Sequence, residues 1–122
     1  AKAVAVFCKM TGIPVEEIHV SLKNRQHRKS DFMKVNPKGK VPVLVDNGHT
    51  IVESNTILRY LADSRKVDES YFPRSDLIAR AKVDSALDWN GSTVRPALLP
   101  YVQQSFFRLL IGLAPAPQEH LV

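Results

Sequence analysis

The sequence predicts an α/β domain, a small mixed sheet with helices on both faces, that leads into an all-helical segment. Three observations carry this. Two β-branched runs flank the turn residues Asp46, Asn47 and Gly48; helical periodicity brackets that pair of runs on both sides; and a polar stretch with Pro73 precedes a longer apolar helical run. With 122 residues, 44% of them hydrophobic, the chain holds one small domain and part of another. The expected division is a first domain at 1–65, a linker at 66–75 and the beginning of an all-helical domain at 76–122.

The first residues already read as helix: Ala3, Val4, Phe7, Cys8 and Met10 recur at helical spacing until Gly12 and Pro14 end the run. A helix that opens with neither methionine nor cap points to a missing N-terminus. Val15, Ile18, Val20 and Leu22 alternate imperfectly, which predicts a strand over 15–22. After a polar loop, Ser30 is expected to cap a short helix from Asp31 to Val35, with Asp31 at the positive end of its dipole, and Asn36, Pro37 and Gly39 stop it. The run Val41 to Val45 predicts a strand, and the Asp-Asn-Gly turn followed by His49 to Val52 makes a hairpin.

Ser54 is the expected N-cap of a further helix that places Ile57, Leu58, Leu61 and Ala62 on one face and runs to about Arg65. From about Asp76 a longer helix is expected, with Ile78, Ala81, Val83, Leu87 and Trp89 as core positions. It should continue irregularly past Pro96 to Leu110, before Pro115 and Pro117 break it. A strand, a crossover helix and a further strand imply one parallel pairing, while the hairpin adds an antiparallel edge. This is a thioredoxin-like layout lacking its first strand.

Charge narrows the partners. The formal net charge is +5, and from Lys23 to Lys40 there are seven Lys or Arg against the single acid Asp31. Such a segment attracts anions. Phe32 is the only aromatic within it, so single-stranded nucleic acid, which is held by stacking, fits less well than a small anionic ligand. No apolar stretch approaches the ~20 residues a membrane span needs, and no secretory signal pattern opens the chain, which reads as soluble. Cys8 is the only cysteine, which excludes an internal disulfide and a multi-cysteine zinc site and fits a reducing, cytoplasmic compartment. It has no partner at C-x-x-C spacing and is expected to be a buried small hydrophobe. His19, His49 and His120 are too scattered for a metal site, and no metal is implied.

The segments N-P-K-G-K-V-P-V-L (Asn36 to Leu44) and I-V-E-S-N-T-I-L-R-Y-L (Ile51 to Leu61) resemble the glutathione-site core of the cytosolic glutathione transferases. The stretches R-Q-H-R (Arg25 to Arg28), Y-F-P (Tyr71 to Pro73) and R-A-K-V-D-S-A-L-D-W (Arg80 to Trp89) are similar to the theta class. The resemblance implies that Pro42 is cis and turns the backbone of Val41 outward, to exchange main-chain hydrogen bonds with the cysteinyl unit of glutathione. It implies that Ser54 holds the γ-glutamyl carboxylate through hydroxyl and amide, and that Glu53 takes the ammonium. His27 and Lys40 match theta positions near the glycyl carboxylate, and Arg95 matches an arginine over the second-substrate pocket, although Pro96 directly after it departs from the usual pattern. Taken alone, Ser54 is a helix cap, Glu53 a surface acid and His27 a solvated loop residue; the family spacing is what raises them to site candidates.

The same resemblance implies an enzyme, a transferase with glutathione as co-substrate, that in its intact, homodimeric form conjugates glutathione to electrophiles or reduces peroxides. A free thiol ionises near pH 8.5, and lowering that by about 2 units requires roughly 2.7 kcal/mol of preferential stabilisation of the thiolate. Theta-like enzymes use a serine just before the first helix for this. Ser21, Ser30, Ser54 and Ser64 do not match it, so the catalytic residue is unknown, and the chain is expected to bind glutathione weakly and catalyse little. Exposed Leu98, Leu99, Phe106, Phe107, Leu109 and Leu110 are expected where further helices would pack. A non-catalytic interaction module of the same fold is the alternative; nucleic acid and membrane partners are not expected.

Overall fold

The computed structural model describes residues 1–103. The chain divides into two compact units, the first spanning Ala1–Val83 and the second beginning at Asp84.

Helix α1 (Lys2–Thr11) ends where Gly12 turns left-handed at φ 69°, its amide closing back on the Cys8 carbonyl. A single 3-10 turn (Gln26–Arg28) leads into α2 (Ser30–Val35). The hairpin follows as β1 (Val43–Asp46) and β2 (His49–Val52), antiparallel, with Val43 opposite Val52 and Asp46 opposite His49. Asn47 and Gly48 both have positive φ, 48° and 79°, as the two central residues of a tight hairpin turn with the strand twist require. Helix α3 (Ser54–Ser64) packs on both strands and on α1. The core lies where these meet: Cys8, Ile13, Ile57, Leu61 and Ala62 are buried, joined by Val67 and Phe72 from the segment after α3.

That segment has no regular structure but is tied down. Arg74 donates to the carbonyls of Val67 and Ala62 and pairs with Glu69, which also accepts from the Ser75 amide. Asp76 then caps α4 (Leu77–Trp89), its Oδ1 accepting the amides of Ile78 at 2.9 Å and Ala79 at 3.0 Å. Within the first unit, Arg80 ties the start of α4 to α3 and the segment after it: its guanidinium meets Asp63 in two bonds of 2.9 and 3.1 Å and lies 4.0 Å above the Phe72 ring. In the second unit the chain continues through one wide π turn (Asn90–Val94) into α5 (Arg95–Val102). Pro96 explains the widening, because it has no N–H to offer and its ring would strike the carbonyl four residues back in a regular helix.

Several expectations are corrected. The segment 15–22 is not a strand: the described sheet has two strands, β1 and β2, and an extended chain becomes a strand only where a neighbour satisfies its backbone. The parallel pairing expected there is therefore not formed. Pairing starts at Val43 rather than Val41, since a proline nitrogen cannot join the ladder. Neither Ser30 nor Ser54 is an N-cap; each is the first residue of its helix, after Lys29 and Glu53. Ile78, Ala81 and Trp89 are exposed, with only Val83 and Leu87 half-buried, because periodicity identifies the apolar face of a helix without identifying what covers it. Leu98 and Leu99 are exposed as expected, whereas Phe106, Phe107, Leu109, Leu110 and the end of that helix lie outside the described residues. Among the described residues no helix is long and apolar enough to cross a membrane.

Candidate functional site

The site begins with a buried asparagine. Asn36, 3% exposed, ends α2, and its polar groups organise the next four residues. Its Nδ2 donates to the Lys40 carbonyl at 2.7 Å, its Oδ1 accepts the Lys38 amide at 3.1 Å, and its own carbonyl accepts the Gly39 amide at 2.8 Å. The loop is folded around one side chain, which holds it rigid where it meets the sheet. Gly39, at φ 59°, sits so close to the 3-10 turn that a β-carbon there would lie 2.9 Å from the His27 carbonyl oxygen. The turn carrying His27 is thereby packed against the loop carrying Lys40.

The Val41–Pro42 peptide is cis. Among the described residues the Val41 amide and carbonyl have no hydrogen-bond partner, which leaves them available to an added strand. The hairpin register then decides what faces this peptide. With Val43 opposite Val52 as the last pair, Pro42 leaves one strand just where Glu53 leaves the other. Glu53 turns the chain into α3 with φ 68° and ψ 121°, a conformation that L-residues rarely adopt and that costs of order 1–3 kcal/mol. Its carbonyl accepts the Ile57 amide at 2.9 Å, while its side chain is exposed. No side chain caps α3, so the half-buried Ser54 stands at the positive end of an 11-residue helix with its hydroxyl uncommitted to capping.

His27, Lys40, Val41, Pro42, Glu53 and Ser54 thus rim one end of the hairpin within the first unit. Lys40 is exposed, and the buried Nδ1 of His27 has no partner among the described residues. The donors and cations along the rim suit a zwitterionic peptide with carboxylates at both ends and a main chain between them. Arg95 is exposed at the start of α5, in the second unit.

With that geometry in place, comparison with known proteins is decisive. Residues 1–63 match the family described as glutathione S-transferase, N-terminal domain. The chain belongs to that family. It is 38% identical over 119 residues to glutathione S-transferase T1 of Arabidopsis thaliana, an alignment covering 97% of this chain and 48% of the relative. Human glutathione S-transferase theta-1 is 39% identical over 118 residues, covering 96% of this chain and 49% of that one. The crystal structure of human glutathione transferase theta-2, a complex with glutathione and an unknown ligand, superposes with a TM-score of 0.86 at 35% identity, covering 97% of this chain and 48% of that one. The chain therefore spans about half the length of these relatives. The expected thioredoxin-like transferase domain and its theta-like character hold.

Two features of this transferase domain escaped sequence reasoning. Asp46, at the hairpin turn, accepts bonds from the Tyr60 hydroxyl at 2.6 Å and from Arg65 at 2.7 Å, which ties the turn to α3 and its end. The Tyr60 hydroxyl, then Arg65, hold the Asp46 carboxyl below its usual range, and the same bond raises the Tyr60 phenol. Residues 14 and 19 positions apart give no sequence signal of contact. Asn36 counts in the sequence as a helix stop and as the start of the family motif, not as a loop organiser, although Asn-Pro-x-Gly is a pattern that favours side-chain-closed turns. Cys8, 2% exposed, is the expected structural residue, its thiol pushed up by burial with Glu17 adding to the effect. Among the described residues no group of three His, Cys, Asp or Glu could hold a metal ion.

Proposed function

We propose that this chain supplies the glutathione site of a theta-like glutathione transferase, which in the whole protein transfers the glutathione thiolate to an electrophilic substrate or reduces a peroxide with it. Ser54 and the first amides of α3 take the γ-glutamyl carboxylate, and Glu53 takes the ammonium. Val41 pairs with the cysteinyl main chain, and His27 with Lys40 faces the glycyl carboxylate. The residue that activates the thiol is not assigned. Arg95 is proposed for the second-substrate pocket, the division into domains at 1–65 and 76–122 for the organisation, and a cytoplasmic homodimer for the assembled enzyme.

The observation that carries this reading is the meeting of the cis Val41–Pro42 peptide with Glu53 and Ser54 at the open end of the ladder. It is supported by the human theta-2 relative, whose structure is a complex with glutathione. Calorimetric titration of the chain with glutathione tests it. Saturable binding is expected, weakened about tenfold in Ser54→Ala by loss of a bond to a charged group. Because Ser54 does not cap α3, the same change should leave the melting temperature nearly unchanged. Absence of saturable binding to the folded wild-type chain would refute the proposal.

A further inference from the structure

We propose that Asn36 is a positioning residue for glutathione binding: by holding the Lys40 carbonyl it aims the Val41 amide at the ligand. The inference rests on the glutathione site proposed above and adds a residue that does not itself touch the peptide.

The argument follows from the planarity of the peptide unit. In a trans peptide the carbonyl of one residue and the amide of the next point in opposite directions. The Lys40 carbonyl is drawn inward to the Asn36 Nδ2 at 2.7 Å. The N–H of Val41 belongs to that same peptide, so it must point away from Asn36. On the far side of Val41 the peptide to Pro42 is cis. The Val41 amide is thus oriented by the peptide on its N-terminal side, and it is left unpaired among the described residues.

Asn36 is itself held in one orientation. Its Oδ1 accepts from Lys38 and its carbonyl accepts from Gly39, at 3.1 and 2.8 Å, so the side-chain amide cannot turn over without breaking the loop. Burial at 3% exposure keeps water from substituting for its donor. An exposed asparagine would make the same bonds in exchange with solvent and would not fix the peptide.

The test is glutathione binding by the 122-residue chain and its Asn36→Ala variant, followed by calorimetry and by amide resonances at saturating peptide. In the wild type the amides of Val41 and Ser54 should both shift. In Asn36→Ala the affinity should fall about tenfold, the Val41 shift should collapse, and the Ser54 shift should persist, because α3 is untouched. A uniform loss of both shifts would mark Asn36 as merely structural, and an unchanged Val41 shift with unchanged affinity would show that it positions nothing; either result overturns the inference. Should Asn36→Ala fail to fold, Asn36→Asp keeps an acceptor for Lys38 and sets a carboxylate oxygen against the Lys40 carbonyl in place of the donor, and where it folds it must show the same selective loss at Val41. A folded wild-type chain that binds no glutathione would sink the proposed site, and this inference with it; wild-type binding with an indifferent variant would sink this inference alone.

Discussion

Gly39 brings the His27 turn against the Lys40 loop, and replacing it by alanine separates two physical costs that usually travel together. The first is conformational. A non-glycine residue in the left-handed region costs about 1–2 kcal/mol, offset by about 0.4–1 kcal/mol because alanine also restricts the unfolded chain. The second is steric: the added carbon would meet the His27 carbonyl oxygen at 2.9 Å, the Arg28 Nη1 at 3.0 Å and the Met33 Sδ at 3.1 Å. The two side-chain neighbours can swing aside, but the backbone oxygen can retreat only by moving the 3-10 turn, an overpacking cost of about 1–3 kcal/mol. Together these give roughly 2 kcal/mol or somewhat more, a fall in melting temperature of about 8–16 °C for a unit of this size. Gly12 supplies the control, since its φ of 69° is similar and nothing lies within 4 Å of its would-be β-carbon. Gly12→Ala should bear the conformational cost alone, well under half the loss of Gly39→Ala in thermal unfolding followed by circular dichroism. Equal losses in the two variants would refute the close approach and, with it, the packing of the His27 turn against the site.

Asp46→Asn should lower the melting temperature at pH 7 and flatten its acid limb. The folded carboxyl is held below the unfolded value of about 4, so its contribution is complete above that pH and is lost as pH falls through the lowered folded value; a pH series of unfolding scans reads the difference. Arg80→Met should lose the two-bond pair with Asp63 and the contact over Phe72, about 1–2 kcal/mol in all, seen as a lower urea midpoint at unchanged slope. Arg80→Lys should not restore it, because an ammonium cannot present the planar fork.

What could be read from the sequence divides by the range of the physics involved. The hairpin was legible because Asp-Asn-Gly needs only its own backbone chemistry, and α1 because Gly12 and Pro14 end it locally. The face of α3 was legible because Ile57 and Leu61 stand one turn apart. The stretch 15–22 was misread because alternation states a preference that only a paired neighbour can realise. Ser54 was misread as a cap for a different reason: its residue type suits the role, but the positive φ of Glu53 moves the start of the helix back by one residue. The residues proposed for the ligand side rest on family spacing alone. The frame that aims them was not, since Asn36 to Lys40 and Asp46 to Tyr60 are contacts between groups whose partners no local pattern names.

The strain at Glu53 and the order at Asn36 belong to one construction. The ladder ends at Val43 and Val52, and α3 starts only two residues later, so a single residue must reverse the chain's course. A glycine would do this without strain but would leave the corner free to move and would carry no carboxylate at the rim. Glu53 accepts an unfavourable φ, and the packing of Ile57 and Leu61 beneath α3, both 1% exposed, holds it there. On the opposite strand the chain is restricted by different means, a cis proline and a carbonyl clamped by Asn36. The Lys40 carbonyl and the Glu53 corner are thus held by contacts within the chain, and if a ligand binds there, little ordering entropy should have to be lost. In the binding mode proposed above, a peptide spanning them with its main chain on Val41 and its carboxylate on Ser54 would meet donors already aimed, which would let few residues recognise a small and strongly hydrated ligand.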